Sequence, residues 1–284
     1  MGSHSRVLIT GADGFTGRHL TTFLLGSGYE VFHLSSDLLD TVNLDKELLA
    51  IYPDFVIHLA GISFAAHENS EEIYRVNTIG SLNLLESCRG LGDINRVILA
   101  SSAAVYGNQV TSVLDEALCP SPVSHYGCSK LNMELLAENY SQYFPITVVR
   151  PFNYTGIGHD AIFVIPKIVK AFRQKENVLY LGNLDVFREF NDIRDICICY
   201  EKLLCITEDY CLTNICSGTT YSIRGVIDYL VGTTGFSPKI KLDKKYIREN
   251  DVQFISGNPT KMHGLINYKF KYKLENTLEL MLKG

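Results

Sequence analysis

Tyr126 and Lys130 lie four residues apart in the stretch "SHYGCSKLNMELL" (124–136), where an amphipathic helix is predicted to begin. Side chains at this spacing share one face of a helix, so a phenol and an ammonium would be neighbours. A nearby cation stabilises a phenolate, and we expect Lys130 to lower the pKa of Tyr126 from its usual value of about 10. Tyr126 would then be a proton donor near neutral pH. The same spacing fits a surface pair on an ordinary helix, so its meaning depends on the rest of the chain.

The elements that would hold this pair alternate regularly over residues 6–150. The short apolar runs are "RVLIT" (6–10), "EVFHL" (30–34), "FVIHLA" (55–60), "RVILAS" (96–101) and "ITVVR" (146–150), with helical periodicity between them. Near-continuous apolar strands separated by helices are typical of a parallel sheet covered on both faces. The sequence therefore predicts an α/β fold with a Rossmann-type, doubly wound parallel sheet.

The alternation weakens after Pro151. Helical spacing continues over 165–172, "LTNICSG" (212–218) predicts a strand, and "LENTLELML" (274–282) predicts a closing helix. This mixture indicates a smaller α/β substrate domain beside the carboxyl ends of the strands, where open α/β sheets bind ligands. We assign 6–155, with a strand and helix returning near 190–218, to the dinucleotide domain, and 156–189 with 219–284 to the substrate domain. Residues 1–5 are interpreted as a cloning remnant.

A glycine turn follows the first predicted strand. Gly11, Gly14 and Gly17 lie in "TGADGFTG", and a helix is predicted from there through about Gly26. Backbone NH groups at such a turn, together with the dipole of the following helix, can hold a pyrophosphate. The spacing differs from the Gly-x-Gly-x-x-Gly fingerprint, but the strand and helix around it favour a dinucleotide site over a purely structural turn.

Composition excludes several function classes. The chain has 284 residues, of which 46% are hydrophobic, a formal net charge of −5 and a pI near 5.9. A general nucleic-acid or anionic-membrane binder would need a basic surface. The sequence contains neither an apolar run of bilayer length nor a leader pattern, so we predict a soluble cytoplasmic protein. Eight scattered cysteines are interpreted as reduced core residues, and no metal site is predicted.

Four motifs in order resemble the extended short-chain dehydrogenase/reductase family. They are "TGADGFTG" (10–17), "HLAG" (58–61), "SSAAVYG" (101–107) and "YGCSK" (126–130). The resemblance implies that Tyr126 is the general acid/base, that Lys130 holds the nicotinamide ribose, and that Ser102 hydrogen-bonds the reacting oxygen. It also implies a cofactor site formed by Gly11, Gly14, Phe15, Gly17, Ser35, Ser36, Leu59, Ala60, Gly61, Tyr126, Lys130, Pro151 and Phe152. Asn77, in "RVNTIGS", resembles a family asparagine that orders the helix behind the active site.

Two later segments are similar to GDP-mannose dehydratases and GDP-4-keto-6-deoxy-D-mannose reductases. They are "RPFNYTGIG" (150–158) and "GNLDVFREFNDIRD" (182–195). The substrate-binding residues implied by the resemblance are Asn153, Asn183, Arg188, Arg248 and Asp251. A guanidinium suits pyrophosphate oxygens, which is the role expected of Arg188. Arg194 is instead interpreted as lying on a solvated or ion-paired turn.

The residues after Ser102 separate the reaction types of this family. Its dehydratases carry acidic residues there and its 3,5-epimerising reductases a cysteine in this region, whereas this chain has Ala103 and Ala104. The pattern favours an NAD(P)H-dependent reductase of a nucleotide-linked, GDP-favoured 4-keto-6-deoxy sugar for surface polysaccharide. Alternatives are a 4-epimerase with tightly bound NAD and a non-catalytic NAD(P)-sensing protein. The resemblance also implies a homodimer.

The cofactor choice depends on the end of the second strand. An acid there binds the ribose 2′-hydroxyl of NAD, and a nearby arginine binds the 2′-phosphate of NADP. The chain has Ser35 and Ser36 at these positions, and Arg18 is the one candidate to neutralise a phosphate. We favour NADP weakly and retain NAD as an alternative.

Overall fold

The structure is a computed structural model that describes residues 5–63, 69–243, 245 and 252–284. The strands are β1 (Arg6–Thr10), β2 (Glu30–His33), β3 (Phe55–His58), β4 (Arg96–Ala100), β5 (Val113–Leu114), β6 (Ile146–Pro151), β7 (Tyr154–Thr155), β8 (Val178–Leu181), β9 (Phe187–Arg188), β10 (Asn191–Asp192), β11 (Tyr210–Ile215), β12 (Tyr221–Ser222), β13 (Lys239–Leu242) and β14 (Ser256–Gly257). The helices are α1 (Phe15–Gly26), α2 (Thr41–Ile51), α3 (Ser70–Tyr74), α4 (Gly80–Leu91), α5 (His125–Tyr140), α6 (Val164–Arg173), α7 (Ile193–Leu203), α8 (Ile223–Thr234), α9 (Thr260–Ile266) and α10 (Leu274–Lys283). A π-helical turn, Arg75–Ile79, joins α3 to α4, and a 3-10 turn, Ala103–Tyr106, follows β4.

A six-stranded parallel sheet forms the centre of the fold, in the order β11-β6-β4-β3-β1-β2. All five strands predicted before Pro151 are present in it, with ends that differ by no more than two residues. The predicted α/β, doubly wound parallel fold is therefore confirmed. The strand predicted at 212–218 is also present, but it begins at Tyr210 and ends at Ile215.

Both faces of the sheet are buried because side chains of a strand alternate between its two faces. In β1, Val7 and Ile9 join one apolar cluster, whereas Leu8 joins the cluster on the opposite face. Helices α1, α7 and α9 cover the first face with Leu20, Leu24, Ile196, Leu203 and Met262. Helices α2, α4 and α5 cover the second face with Leu44, Leu48, Leu84, Leu85, Met133 and Ala137. This arrangement explains why the strands have continuous apolar sequences.

A separate apolar cluster lies in the later part of the chain. Helices α6, α8 and α10 pack there with β8 and β13, which pair in parallel. The side chains at its centre include Ile168, Phe172, Leu230 and Leu278. The helices predicted at 165–172 and 274–282 are confirmed as α6 and α10. The proposed division into two domains stays a prediction.

The cysteines only partly match the prediction of core residues. All eight are free thiols and five are buried, but Cys119 and Cys205 are exposed and Cys128 is half-buried. Apolar spacing predicts burial only where the flanking residues continue a helix or strand, and Cys119 and Cys205 lie in loops. Within the described ranges, no helix is long and apolar enough to cross a membrane, and no cluster of three or more metal-ligating side chains is present.

Candidate active site

The candidate cofactor crevice lies where the chain reverses direction across the sheet. From β1 the chain passes to β2 at one edge and then returns to β3 on the other side of β1. Open α/β sheets bind ligands at such a switch point, beyond the carboxyl ends of the strands. The glycine turn after β1 and the segment 59–61 after β3 both lie there, so the fold brings two of the predicted cofactor segments together.

The backbone of the glycine turn is suited to a phosphate group. Gly11 has φ +70°, and a Cβ atom on it would lie 2.7 Å from the backbone nitrogen of Ala60, so no side chain fits. Helix α1 begins after Gly14 without a side-chain cap, which leaves the NH groups of its first turn, including Phe15 and Gly17, to bind a ligand. Uncapped NH groups at a helix N-terminus attract anions. The residues present therefore fit the pyrophosphate of a dinucleotide.

A buried hydrogen-bond chain fixes the segment after β3. Ser81 Oγ donates to the carbonyl of Asn77 (2.7 Å), so it accepts from His58 Nε2 (2.8 Å). His58 Nδ1 then accepts from Thr10 Oγ1 (2.7 Å), which also accepts from the Ala60 NH (3.1 Å). Burial, reinforced by the charge of Lys130, lowers the pKa of His58 to about 3. The imidazole is therefore neutral and has a structural role.

Asn77 links the same segment to the helix that carries Tyr126. Its Oδ1 accepts from the NH of Ile62 (2.8 Å), and its Nδ2 donates to Ser129 Oγ (3.0 Å). Ser129 Oγ in turn donates to the carbonyl of Tyr126 (2.8 Å). Asn77 lies in the π-helical turn before α4. These bonds agree with the interpretation of Asn77 as a residue that orders structure.

The predicted catalytic hydroxyls meet between β4 and α5. Ser102 accepts from the Ala104 NH (3.1 Å) and so caps the 3-10 turn after β4. Helix α5 begins one residue before Tyr126 and packs closely on that turn, because a Cβ atom on Gly127 would lie 2.8 Å from the carbonyl oxygen of Ala104. This close approach places the phenol of Tyr126 near the Ser102 hydroxyl, whose interaction with it partly offsets the effect of burial on the pKa of Tyr126.

The predicted effect of Lys130 on Tyr126 is wrong. Burial raises the pKa of Tyr126, and the interaction that lowers it in part comes from Ser102, not from Lys130. Lys130 is buried, and its Nζ donates to the carbonyl of Ala100 at the end of β4 (2.8 Å). Helical spacing places the two Cα atoms on one face, but a long side chain goes to its best acceptor. Burial also lowers the pKa of Lys130 to about 8, against the raising effect of Glu134.

A buried ion pair between Glu134 and Arg150, which the sequence did not predict, lies behind this site. Glu134 accepts from Arg150 Nε (2.9 Å) and Nη2 (2.6 Å), and it also accepts from the Ser101 hydroxyl. The Arg150 guanidinium lies 4.7 Å from the centre of the Tyr106 ring. Burial disfavours the guanidinium cation, but the hydrogen bonds and charge of Glu134 outweigh this effect and raise the pKa of Arg150. No local pattern signals this pair, since Glu134 lies in α5 and Arg150 in β6, sixteen residues apart.

The two serines after β2 bind a carboxylate of their own chain. The backbone NH groups of Ser35 and Ser36 each donate to Glu47 of α2 at 2.8 Å, and both hydroxyls donate to it as well. Arg18, the predicted neutraliser of a 2′-phosphate, donates instead to the carbonyls of Asp13 and Gly158. Arg18 thus connects the glycine turn to the segment after β7, and its contact with a 2′-phosphate stays a prediction.

The residues after β6 reach the same edge of the sheet. Pro151 ends β6, and the buried Phe152 donates its NH to the carbonyl of Ile215 (3.0 Å). Asn153 is exposed, and its carbonyl accepts from the NH of Asn191 (2.8 Å). Because β6 also pairs in parallel with β4, with Val149 opposite Ala100, the residues after β6 leave the sheet beside the end of β4, which Ser102 follows.

The predicted substrate residues are less closely grouped. Asn183 lies in an exposed turn after β8, where its Oδ1 accepts from the NH of Asp185 (3.0 Å). Arg188, in β9, is half-buried and donates to the carbonyl of Phe187 (2.7 Å). Within the part of the chain that the structure describes, neither the Asn183 nor the Arg188 side chain contacts Tyr126. Arg248 and Asp251 lie outside the described residues.

Arg194 forms the predicted ion pair. Its Nε and Nη2 donate to the carboxylate of Asp192 at 2.9 and 2.7 Å. Its guanidinium also lies 3.7 Å from the centre of the Tyr272 ring.

Comparison with known proteins gives consistent matches over nearly the whole chain. The family model described as GDP-mannose 4,6 dehydratase matches residues 32–281. The GDP-6-deoxy-D-talose 4-dehydrogenase of Aggregatibacter actinomycetemcomitans is 35% identical, over 98% of this chain and 97% of that protein. The GDP-6-deoxy-D-mannose reductase of Pseudomonas aeruginosa is 30% identical, over 98% and 96%. The structure of RMD from Pseudomonas aeruginosa complexed with NADPH aligns with a TM-score of 0.90 at 29% identity, over 99% of this chain and 97% of that one.

Proposed function

Because the chain belongs to the GDP-mannose 4,6 dehydratase family of extended short-chain dehydrogenases/reductases, we propose that it reduces a GDP-linked 4-keto-6-deoxy sugar. The membership confirms the resemblance drawn from the four motifs, and the chain is an NAD(P)-dependent oxidoreductase. The observation that carries the proposal is the meeting of the Ser102 and Tyr126 hydroxyls beside the buried Lys130. A ketone oxygen held between these hydroxyls would be ready to accept a proton.

The side chains present can manage the proton and the developing charge. A nicotinamide dinucleotide, when bound, supplies the hydride to the carbonyl carbon. Tyr126 transfers its proton to the carbonyl oxygen, and Ser102 donates a hydrogen bond that stabilises the negative charge forming there. A phenol is protonated at neutral pH, and burial raises the pKa of Tyr126 further, so Tyr126 carries the proton that it donates. The resulting phenolate is then reprotonated from solvent.

Reduction is favoured over dehydration although the family is described by a dehydratase. Loss of water from C5 and C6 of the sugar needs an acid and a base beside Tyr126. Ala103 and Ala104, in the 3-10 turn next to Ser102, carry no ionisable side chain. The two relatives at 35% and 30% identity have names that describe hydride transfer at GDP-linked deoxy sugars. These names support GDP as the nucleotide in our proposal.

NADPH is our favoured cofactor, with NADH as the alternative. Position 35 carries no acid for a ribose hydroxyl, and the RMD structure contains NADPH. Arg188, Asn153 and Asn183 are proposed to bind the nucleotide sugar. The role in surface polysaccharide synthesis, the homodimer and the cytoplasmic location stay predictions.

The test is cofactor oxidation with a freshly prepared GDP-4-keto-6-deoxy sugar. We expect the wild type to consume NADPH in proportion to sugar reduced. Tyr126→Phe should lower kcat/KM by about 100-fold to 10,000-fold, the usual contribution of a positioned general acid. Tyr143→Phe is the matched control because it removes a phenol hydroxyl from a half-exposed site after α5.

Three results would contradict the proposal. Turnover of Tyr126→Phe equal to that of Tyr143→Phe would remove Tyr126 from the mechanism. Interconversion of 4-epimers with no net change in nicotinamide absorbance would show a 4-epimerase. Cofactor binding without activity on any nucleotide-linked keto-sugar would indicate a sensing protein.

A further inference from the structure

Hydrogen-bond donors just after the end of β2 form an anion site, and the carboxylate of Glu47 is bound there. Four donors converge on it, namely the backbone NH and the hydroxyl of both Ser35 and Ser36. Convergent NH groups with flanking hydroxyls form the kind of site that binds phosphate and carboxylate oxygens. Burial raises the pKa of Glu47, but these hydrogen bonds outweigh that effect and lower it, so the group is ionised near neutral pH.

This anion site lies where a dinucleotide presents its adenosine ribose. β2 pairs in parallel with β1, so Ser35 and Ser36 lie at the same edge of the sheet as the glycine turn. In such folds the end of this strand contacts the ribose 2′ position, which is a hydroxyl in NAD and a phosphate in NADP. The 2′-phosphate and the Glu47 carboxylate would need the same four donors.

NAD and NADP would therefore interact differently with the Glu47 carboxylate. A 2′-hydroxyl can donate to the carboxylate while all four hydrogen bonds to Glu47 remain. A 2′-phosphate carries like charge, and it can use the serines only after the carboxylate has left them. No lysine or arginine side chain contacts Glu47, Ser35 or Ser36 within the described ranges, so no cation offsets the repulsion.

We propose that Glu47 is a specificity-determining residue that competes with the 2′-phosphate of NADP for the donors of Ser35 and Ser36. The backbone of Glu47 is held in place because its neighbours Leu44 and Leu48 are buried on the inner face of α2. Its side chain is half-buried and can rotate away from the serines. Glu47 then lowers the affinity for NADP below the value that the same site would have without this charge. The inference rests on the proposed binding of a nicotinamide dinucleotide at this edge, whichever of the two cofactors is preferred, and it is independent of the sugar.

The test uses adenosine 2′,5′-bisphosphate and adenosine 5′-monophosphate, which differ only in the 2′-phosphate. Their dissociation constants are measured by isothermal titration calorimetry for the wild type and for Glu47→Gln. We expect the preference for the bisphosphate to rise about tenfold in the variant, because one like-charge contact is removed. Adding Ser35→Ala and Ser36→Ala to Glu47→Gln should reduce this gain, since the two hydroxyl donors would be lost while the two backbone NH groups remain.

The matched control is Glu176→Gln, which removes one negative charge at an exposed position after α6. It should leave the ratio of the two dissociation constants at the wild-type value. Glu47→Asp keeps the charge on a shorter side chain and should give an intermediate ratio, and thermal unfolding confirms that each variant is folded. Ratios that stay within twofold of the wild type in both Glu47 variants overturn the proposal. Because neither ligand contains a sugar nucleotide, failure of the proposed reductase activity would leave this result unaffected.

Discussion

Replacing Glu134 by leucine should destabilise the protein strongly, because it leaves Arg150 as an unpaired cation in the interior. Both side chains are almost completely buried, with 6% and 3% of their surfaces exposed. Glu134 provides two hydrogen bonds to the guanidinium. The Nη1 atom of Arg150 is buried without a hydrogen-bond partner within the described residues, so little else compensates the charge.

The size of the effect follows from the burial of the pair. Removing one partner of a buried ion pair costs about 3–5 kcal/mol, mostly because the remaining charge is left without water or a counter-ion. Unfolding entropy is about 2.1 cal/mol/K per residue, so a chain of 284 residues has about 0.6 kcal/mol/K. The expected decrease in Tm for Glu134→Leu is therefore about 5–8 °C.

The assay is thermal unfolding followed by circular dichroism for Glu134→Leu, Arg150→Met and the double variant. The double variant should lose less stability than the sum of the single variants, because it leaves no unpaired charge. Glu138→Leu is the matched control, since Glu138 lies one turn later on the same helix and is exposed. Its stability should change by no more than about 0.5 kcal/mol.

Two outcomes would refute the reasoning about this ion pair. In the first, Glu134→Leu and Glu138→Leu unfold within about 1 °C of each other. In the second, the losses of the two single variants add fully in the double variant. Either outcome would mean that Arg150 finds water or another partner once the carboxylate is gone.

Two further predictions concern stability and pH. Burial depresses the pKa of His58 to about 3 from about 6.5, so the unfolded state binds a proton before the folded state does as the pH falls. The free energy of unfolding should therefore decrease by about 2–3 kcal/mol between pH 6.5 and 4.5. Urea unfolding should show a shallower loss in His58→Gln than in the exposed control His33→Gln, and equal slopes would contradict a neutral His58. Burial also depresses the pKa of Lys130 to about 8 from about 10.4, so above pH 8 the folded state loses this proton while the unfolded state keeps it. The free energy of unfolding of the wild type should therefore rise by about 2 kcal/mol relative to that of Lys130→Met between pH 8 and 9.5. A stability difference that stays constant over this pH range would mean that Lys130 is hydrated.

Local patterns in the sequence were sufficient to predict the fold and the position of the helix that carries Tyr126 and Lys130. The strands could be predicted because a strand covered on both faces must be apolar throughout. Helix α5 was predicted to begin within 124–136, and in the structure it begins at His125, with Ser124 capping its first turn. The glycine turn could be interpreted because Gly11 adopts a conformation that other residues avoid.

The chemical environment of the site could not be predicted in the same way. The pKa of Tyr126 was expected to fall, but it is raised by burial, which depends on how α5 packs against the turn after β4. Glu47 reaches Ser35 and Ser36 from twelve and eleven residues away, and Arg150 reaches Glu134 across sixteen residues. These charged side chains have several rotamers and several possible partners.

The amino-acid sequence was therefore enough to establish the architecture and the family, and it predicted Ser102, Tyr126 and Lys130 as the catalytic residues. Only the tertiary structure shows that Lys130 donates to the carbonyl of Ala100 and not to the phenol of Tyr126. It also shows that the Glu47 carboxylate accepts hydrogen bonds from Ser35 and Ser36, the serines after β2. The physical reason is the distance along the chain over which each property is determined. Backbone conformation and burial pattern repeat within a few residues, whereas the charge state and partner of a polar side chain depend on groups that only folding brings close.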